Sequence, residues 1–174
     1  MAVRAQLQGD ALVLEAIERD DAPTGRYIAF HDPDGSLPAA TVDGRITDTL
    51  EARAFDPALA TAEKALCWFV EANLPEPLLR RLAGASAPRL LAADAVSQAK
   101  APRLVPILAS LDLLFCNRAE ALAILRQSIP GQSGEHAQTG TDELAQALLA
   151  RGVRACVISE GERPLVVADA TGVT

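Results

Sequence analysis

From Asp56 onward, short apolar runs alternate with stretches in which apolar residues recur every three to four positions. The first pattern reads as buried strand and the second as amphipathic helix. Residues 58–64 read as a helix and residues 67–70 as a strand. Leu74, Leu78 and Leu82 then form one stripe of a second helix that begins near Asn73. Asn73 is expected to cap it, with Pro75 in the first turn and Glu76 three residues on. Residues 89–93 give another strand, and 97–110 a helical segment with Leu104, Val105 and Leu108 inward. Pro102 and Pro106 limit that segment, because neither has an N–H to donate. Residues 111–116 form a strand that runs into Asn117-Arg118-Ala119-Glu120 and a helix over 121–125. The Gly-, Ser- and Gln-rich stretch 128–139 reads as a loop. Thr141 caps a last helix, with Leu144 and Leu148 inward and Gly152 at its end, and strands follow at 153–159 and 165–168. Buried strands separated by helices predict an α/β fold, a parallel sheet covered by helices on both faces.

The first fifty residues follow another pattern. Residues 27–31 alternate apolar and polar, Asp32-Pro33-Asp34-Gly35 is a strong turn, and 37–43 form a second strand. This β-hairpin region, residues 1–50, precedes the α/β part, residues 51–174, within one domain. A lone hairpin is marginal in water, so it should pack on more sheet or on a partner.

Composition narrows the partners. The chain has 174 residues, 49% of them hydrophobic, and a formal net charge of −7. No basic face can be assembled to neutralise phosphate backbones, and four Phe, one Trp and one Tyr give few base-stacking platforms. A nucleic-acid partner is therefore not expected. No apolar run approaches the ~20 residues that span a bilayer, and the N-terminus lacks a signal-peptide core, so a cytoplasmic protein without a membrane partner is expected. Cys67, Cys116 and Cys156 form no CxxC pair and read as buried, reduced thiols.

The Asn117-x-x-Glu120 unit carries the most chemistry. It sets an amide and a carboxylate at the carboxyl end of a buried strand, where open α/β sheets bind ligands. The same spacing is that of a capping box, and the two roles can coexist. Ser159 and Gly161 close a later strand, where an ordinary strand–turn junction is the bland reading. Asp94 ends a strand and either caps the next segment or faces a pocket. Lys100 either reaches a ligand oxygen or stays solvated. Asn73, Asp43 and Arg26 have bland readings as a cap and as a polar hairpin face.

Several segments, in order, resemble the PfkB (ribokinase-like) family of carbohydrate and nucleoside kinases, and within it the pseudouridine kinase-like branch. Residues 25–35 resemble the family's β-lid strand and turn, and Asn73-Leu74-Pro75-Glu76 its "NLP" segment. Ala93-Asp94-Ala95-Val96-Ser97-Gln98-Ala99-Lys100 is similar to "aDpVSxaK", residues 111–120 to "ldllfpNrxEa", and residues 152–161 to "Gvkxvvvtxg". The resemblance implies a ribokinase-like sheet with a lid hairpin, and ATP-dependent phosphorylation of a sugar or nucleoside hydroxyl with Mg²⁺. It gives Asn117, Ser159 and Gly161 to the nucleotide phosphates, and Glu120, with Asn117, to Mg²⁺ through water. Lys100, Asp94, Asn73, Asp43 and Arg26 fall to the substrate side. Pro164 departs from the family, which commonly has Gly there. The family's Gly-Gly motif would precede Met1, and its Gly-Ala-Gly-Asp motif, with the catalytic Asp, would follow Thr174. An incomplete fold is therefore expected, inactive alone, with exposed apolar sheet that favours a homodimer or completion by flanking segments. The alternatives are a non-catalytic nucleotide- or sugar-binding remnant and an interaction module.

Overall fold

In a computed structural model the protein is described over residues 14–35, 38–86, 89–127 and 139–174. A two-stranded antiparallel hairpin comes first, β1 (Arg26–Phe30) and β2 (Ala39–Asp43), its tip closed by the Gly35 N–H donating to the Asp32 carbonyl at 2.9 Å. Leu37, expected in the second strand, lies outside the described residues, as does most of the expected loop 128–139. Two short helices follow, α1 (Arg45–Asp48) and α2 (Asp56–Ala62). The remainder is a six-stranded sheet in chain order. Its strands are β3 (Cys67–Glu71), β4 (Leu90–Asp94), β5 (Leu113–Asn117), β6 (Cys156–Ser159), β7 (Val166–Asp169) and β8 (Gly172–Val173). The first four pair in parallel, and the last two are antiparallel, so the sheet is mixed.

Between the parallel strands run α3 (Glu76–Ser86), a 3₁₀ segment (Ala101–Ser110), α4 (Arg118–Gln127) and α5 (Thr141–Leu149). Each crossover moves one strand onward in the same direction, and right-handed crossovers of that kind place their helices on one side. The core lies there. Val70, Leu91, Ala93, Leu114, Cys116, Cys156 and Ile158 point from the sheet into a cluster with Leu78, Leu79, Leu104, Ile124, Leu125, Leu144 and Leu148. The opposite face alternates out of that core, leaving Phe69 57% and Leu90 52% exposed and Phe115 and Val157 half-buried. Among the described residues helices cover one face only, where cover on both was expected. Apolar alternation announces two apolar faces but does not say which one the crossovers reach.

Several local expectations also shift. The helical segment after β4 is 3₁₀ and starts at Ala101 rather than Ser97. Two prolines remove α-type donors, and Ala101, Leu104 and Ile107 are buried at a spacing of three, which suits three residues per turn. Asn73 does not cap α3, and the Pro75 carbonyl accepts the N–H of Leu78 and Leu79 instead. Thr141 is the first residue of α5, not its cap. Glu143 reaches back to the Gly140 N–H at 3.2 Å. Cys67 is exposed, while Cys116 and Cys156 are buried. Gly152 ends α5 at φ +95°, where a Cβ would meet the Ala109 Cα at 3.0 Å, so glycine is required for both reasons.

Candidate functional site

Every parallel strand ends on a polar residue: Glu71, Asp94, Asn117 and Ser159. Glu71 is in register with Asp94, and Asn117 with Ser159, so the four side chains form a rim along the carboxyl edge of the sheet. Two cavities open on that edge.

The smaller, about 450 Å³, is lined by Asp94, Phe115, Cys116, Asn117, Glu120, Val157, Ser159 and Leu165. At its floor the capping box is complete. The Asn117 N–H donates to Glu120 Oε2 at 2.8 Å, and the Glu120 N–H donates to Asn117 Oδ1 at 2.9 Å. Glu120 is 6% exposed, which a carboxylate tolerates only with such partners. The box occupies one oxygen of each side chain. It fixes the two against one another and leaves their remaining polar atoms at the cavity wall. Asp94 Oδ1 accepts the Val96 N–H at 2.7 Å, turning the chain sharply at the end of β4. Val96 sits at φ +65°, and the Ser97 N–H reaches the Ala95 carbonyl at 2.7 Å, a γ-turn centred on a β-branched residue. Burial pushes the Cys116 thiol far up and the Cys156 thiol up to about 11, away from the thiolate form.

The larger cavity, about 700 Å³, lies between the hairpin and the end of β3. Tyr27, Val42, Ile46, Phe69, Leu74 and Val96 make its apolar walls. Its polar floor is a relay: the Lys100 ammonium donates to Asn73 Oδ1 at 2.6 Å, and the Asn73 amide donates to Glu71 Oε2 at 2.9 Å. Arg26 and Asp43 line the hairpin side. Asp43 is held by Arg45, whose guanidinium donates to it at 2.9 and 2.7 Å and draws its carboxyl down to about 2.

The structure thus brings Asn117, Glu120, Ser159 and Asp94 to one cavity, and Lys100, Asn73, Asp43 and Arg26 to the other. Gly161 lies beyond both walls, in the turn after Ser159, at φ +58°. The sequence reading missed Tyr27 and Phe69 as cavity walls, because exposed aromatics carry no periodic signal. It also missed Glu160. That carboxylate takes the Thr141 hydroxyl at 2.7 Å and lies 3.2 Å from the Arg163 guanidinium. Its i, i+3 spacing to Arg163 was the available clue.

No family model matches the sequence, and no curated protein matches it. Solved structures do. A carbohydrate kinase from Agrobacterium tumefaciens matches at 27% identity with a TM-score of 0.69, over 88% of this chain and 47% of its own. Ribokinase from Thermotoga maritima matches at 18% identity and 0.67, over 87% and 47%. Adenosine kinase from Anopheles gambiae, solved in complex with di(adenosine-5) tetraphosphate, matches at 17% identity and 0.68, over 90% and 49%. The fold is the ribokinase-like α/β fold of these sugar and nucleoside kinases, and the chain spans about half their length.

Proposed function

We propose that this chain forms the rim of strand ends that binds nucleotide and substrate in an ATP-dependent kinase of a sugar or nucleoside hydroxyl. One observation carries the reading: four parallel strands end on polar residues that open onto two adjoining cavities. Phosphoryl transfer asks a protein for positioning and charge neutralisation more than for covalent chemistry. Asn117 and Ser159 are the neighbours that would meet the ATP phosphates, with the Gly161 turn beside them. Magnesium fits the smaller cavity, because Asp94, Asn117, Glu120 and Ser159 offer only oxygen and amide groups to it. Mg²⁺ prefers oxygen ligands and keeps several of its waters, so few direct protein ligands are needed. Glu120 would hold it through water. When bound, Mg²⁺ neutralises phosphate charge.

The larger cavity would take the acceptor. Apolar walls above the Lys100–Asn73–Glu71 floor suit a flat, apolar ring joined to a hydroxylated one, which favours a nucleoside over a simple hexose. The resemblance makes pseudouridine the first to test. The chain spans about half the length of the kinases it matches, so nucleotide binding and turnover are tested separately. The open face of the sheet favours a second reading, a module that docks on another polypeptide.

The test pairs calorimetric titration of Mg·ATP with a coupled ADP-release assay over ribosides, hexoses and pseudouridine. Both are run on this chain and on a version extended at both ends. Binding by the chain, with turnover only in the extended protein, supports the reading. Absence of nucleotide binding in both would overturn it.

A further inference from the structure

The turn after β6 places a carboxylate, Glu160, beside the two residues proposed to face phosphate. A free negative charge there would repel the ligand. It is not free. Glu160 Oε2 accepts the Thr141 hydroxyl at 2.7 Å, and Oε1 lies 3.2 Å from Arg163 Nη1 and 3.7 Å from Arg118 Nε. These partners come from three different elements. Thr141 opens α5, Arg118 opens α4 inside the Asn117-x-x-Glu120 unit, and Arg163 sits in Glu160's own turn, where its N–H also donates to the Glu160 carbonyl at 3.1 Å. Arg118 in addition donates to the Thr139 carbonyl at 2.9 Å, so the same guanidinium fastens the approach to α5. One carboxylate and two guanidiniums leave the cluster with a net positive charge.

We infer that Glu160 is a positioning residue for anion binding: it ties the Ser159–Gly161 turn to the Asn117-x-x-Glu120 helix start, so that both strand ends present a fixed surface to a nucleotide's phosphates. The inference rests on the kinase reading and adds a role for a residue outside the lining of both cavities. The geometry assigns the work clearly. Asn117 and Ser159 are register neighbours on β5 and β6, but beyond them the chains diverge into a helix and a glycine turn. Among the described residues Glu160 joins the two beyond the sheet, through Arg118 at 3.7 Å. The cluster is open to solvent, with the Glu160 and Arg118 side chains 29% and 27% exposed and Arg163 75%, so it adds little to folding, as exposed ion pairs do. Its effect should fall on the turn's position.

The experiment measures Mg·ATP affinity by calorimetry at physiological salt, together with the melting temperature, on the full chain. Wild type is compared with Glu160→Gln and Thr141→Val. Glu160→Gln is expected to weaken Mg·ATP binding roughly tenfold, the lower end of losses seen when a supporting partner is removed. Its melting temperature should stay near that of wild type. Thr141→Val, which removes one bond of the cluster, should give a smaller loss in the same direction and keeps the test alive if the first variant folds poorly. A merely structural role would lower melting temperature and leave affinity unchanged. Affinity in Glu160→Gln equal to or tighter than wild type overturns the inference while the kinase reading stands. A wild-type chain with no nucleotide affinity overturns that reading first, and this inference with it.

Discussion

Val96 shows how a single backbone angle can serve a site. A β-branched residue at φ +65° sits in the left-handed region at a cost of about 1–2 kcal/mol. The strain is held by Asp94, which takes the Val96 N–H, and by the 2.7 Å bond from Ser97 back to Ala95. Its result is geometric: the chain leaves β4 sharply enough to bring Ser97 and Lys100 under the hairpin. Glycine adopts this angle freely but loses more chain entropy on folding, about 0.5–1 kcal/mol. Val96→Gly should therefore match or slightly exceed wild-type stability, whereas Val96→Ala keeps the strain and gains nothing. Chemical denaturation checks this, and a glycine variant destabilised by more than about 1 kcal/mol would remove the strain argument. Glu120 offers the complementary case. Gln at 120 keeps an oxygen for the Asn117 N–H, so Glu120→Gln should cost less than about 1 kcal/mol, the usual scale of a cap. Losing the charge should nevertheless strongly weaken Mg²⁺-dependent nucleotide binding. If melting falls while Mg·ATP affinity holds, Glu120 acts as a cap alone.

Element boundaries were legible in the chain where pattern and chemistry agreed. Each strand from β3 to β7 stands within a few residues of its apolar run, and the α4 start follows from Asn117 and Glu120, whose capping bonds form as their spacing indicates. Legibility failed where a polar side chain had a better partner far along the sequence. Asn73 has the right spacing to cap α3, yet it bonds Lys100, 27 positions on. Thr141 reads as a cap, yet its hydroxyl serves Glu160. Such choices are tertiary, and one-dimensional spacing cannot rank them. Gly152 is the opposite case, a helix stop visible in the sequence whose reason is only partly local. The chain turns at φ +95° against the Ala109 backbone. Gly152→Ala should destabilise by at least about 1–2 kcal/mol, because left-handed strain and a 3.0 Å clash with backbone act together. A variant with wild-type denaturation midpoint would show that neither the left-handed angle nor the contact with Ala109 is costly.

At the scale of the whole molecule, the unresolved tension is between a one-sided core and a two-sided sheet. The crossovers cover one face, and the other presents Phe69, Leu90, Phe115 and Val157, with the Phe69 and Phe115 rings 6.0 Å apart. Exposed hairpin residues Tyr27, Ile28, Phe30 and Val42 add further apolar surface. Contiguous apolar surface of this kind drives association. The formal charge of −7 opposes it at long range, so two copies of the chain repel before they touch. The two forces respond oppositely to salt. Added salt screens the repulsion within about 10 Å at 0.1 M and leaves apolar attraction intact, and sulfate strengthens it. The isolated chain should therefore self-associate more strongly as ionic strength rises, the reverse of an interface held by ion pairs. Phe69→Lys combined with Leu90→Lys should abolish that association, and both positions are more than half exposed, so the core beneath should be undisturbed. Sedimentation velocity across concentration and salt is the measurement, with melting temperature as the control for folding. A wild-type chain that remains monomeric at high concentration in sulfate would mean that the open face is not adhesive, and association that persists in the double-lysine variant would move the contact to the hairpin.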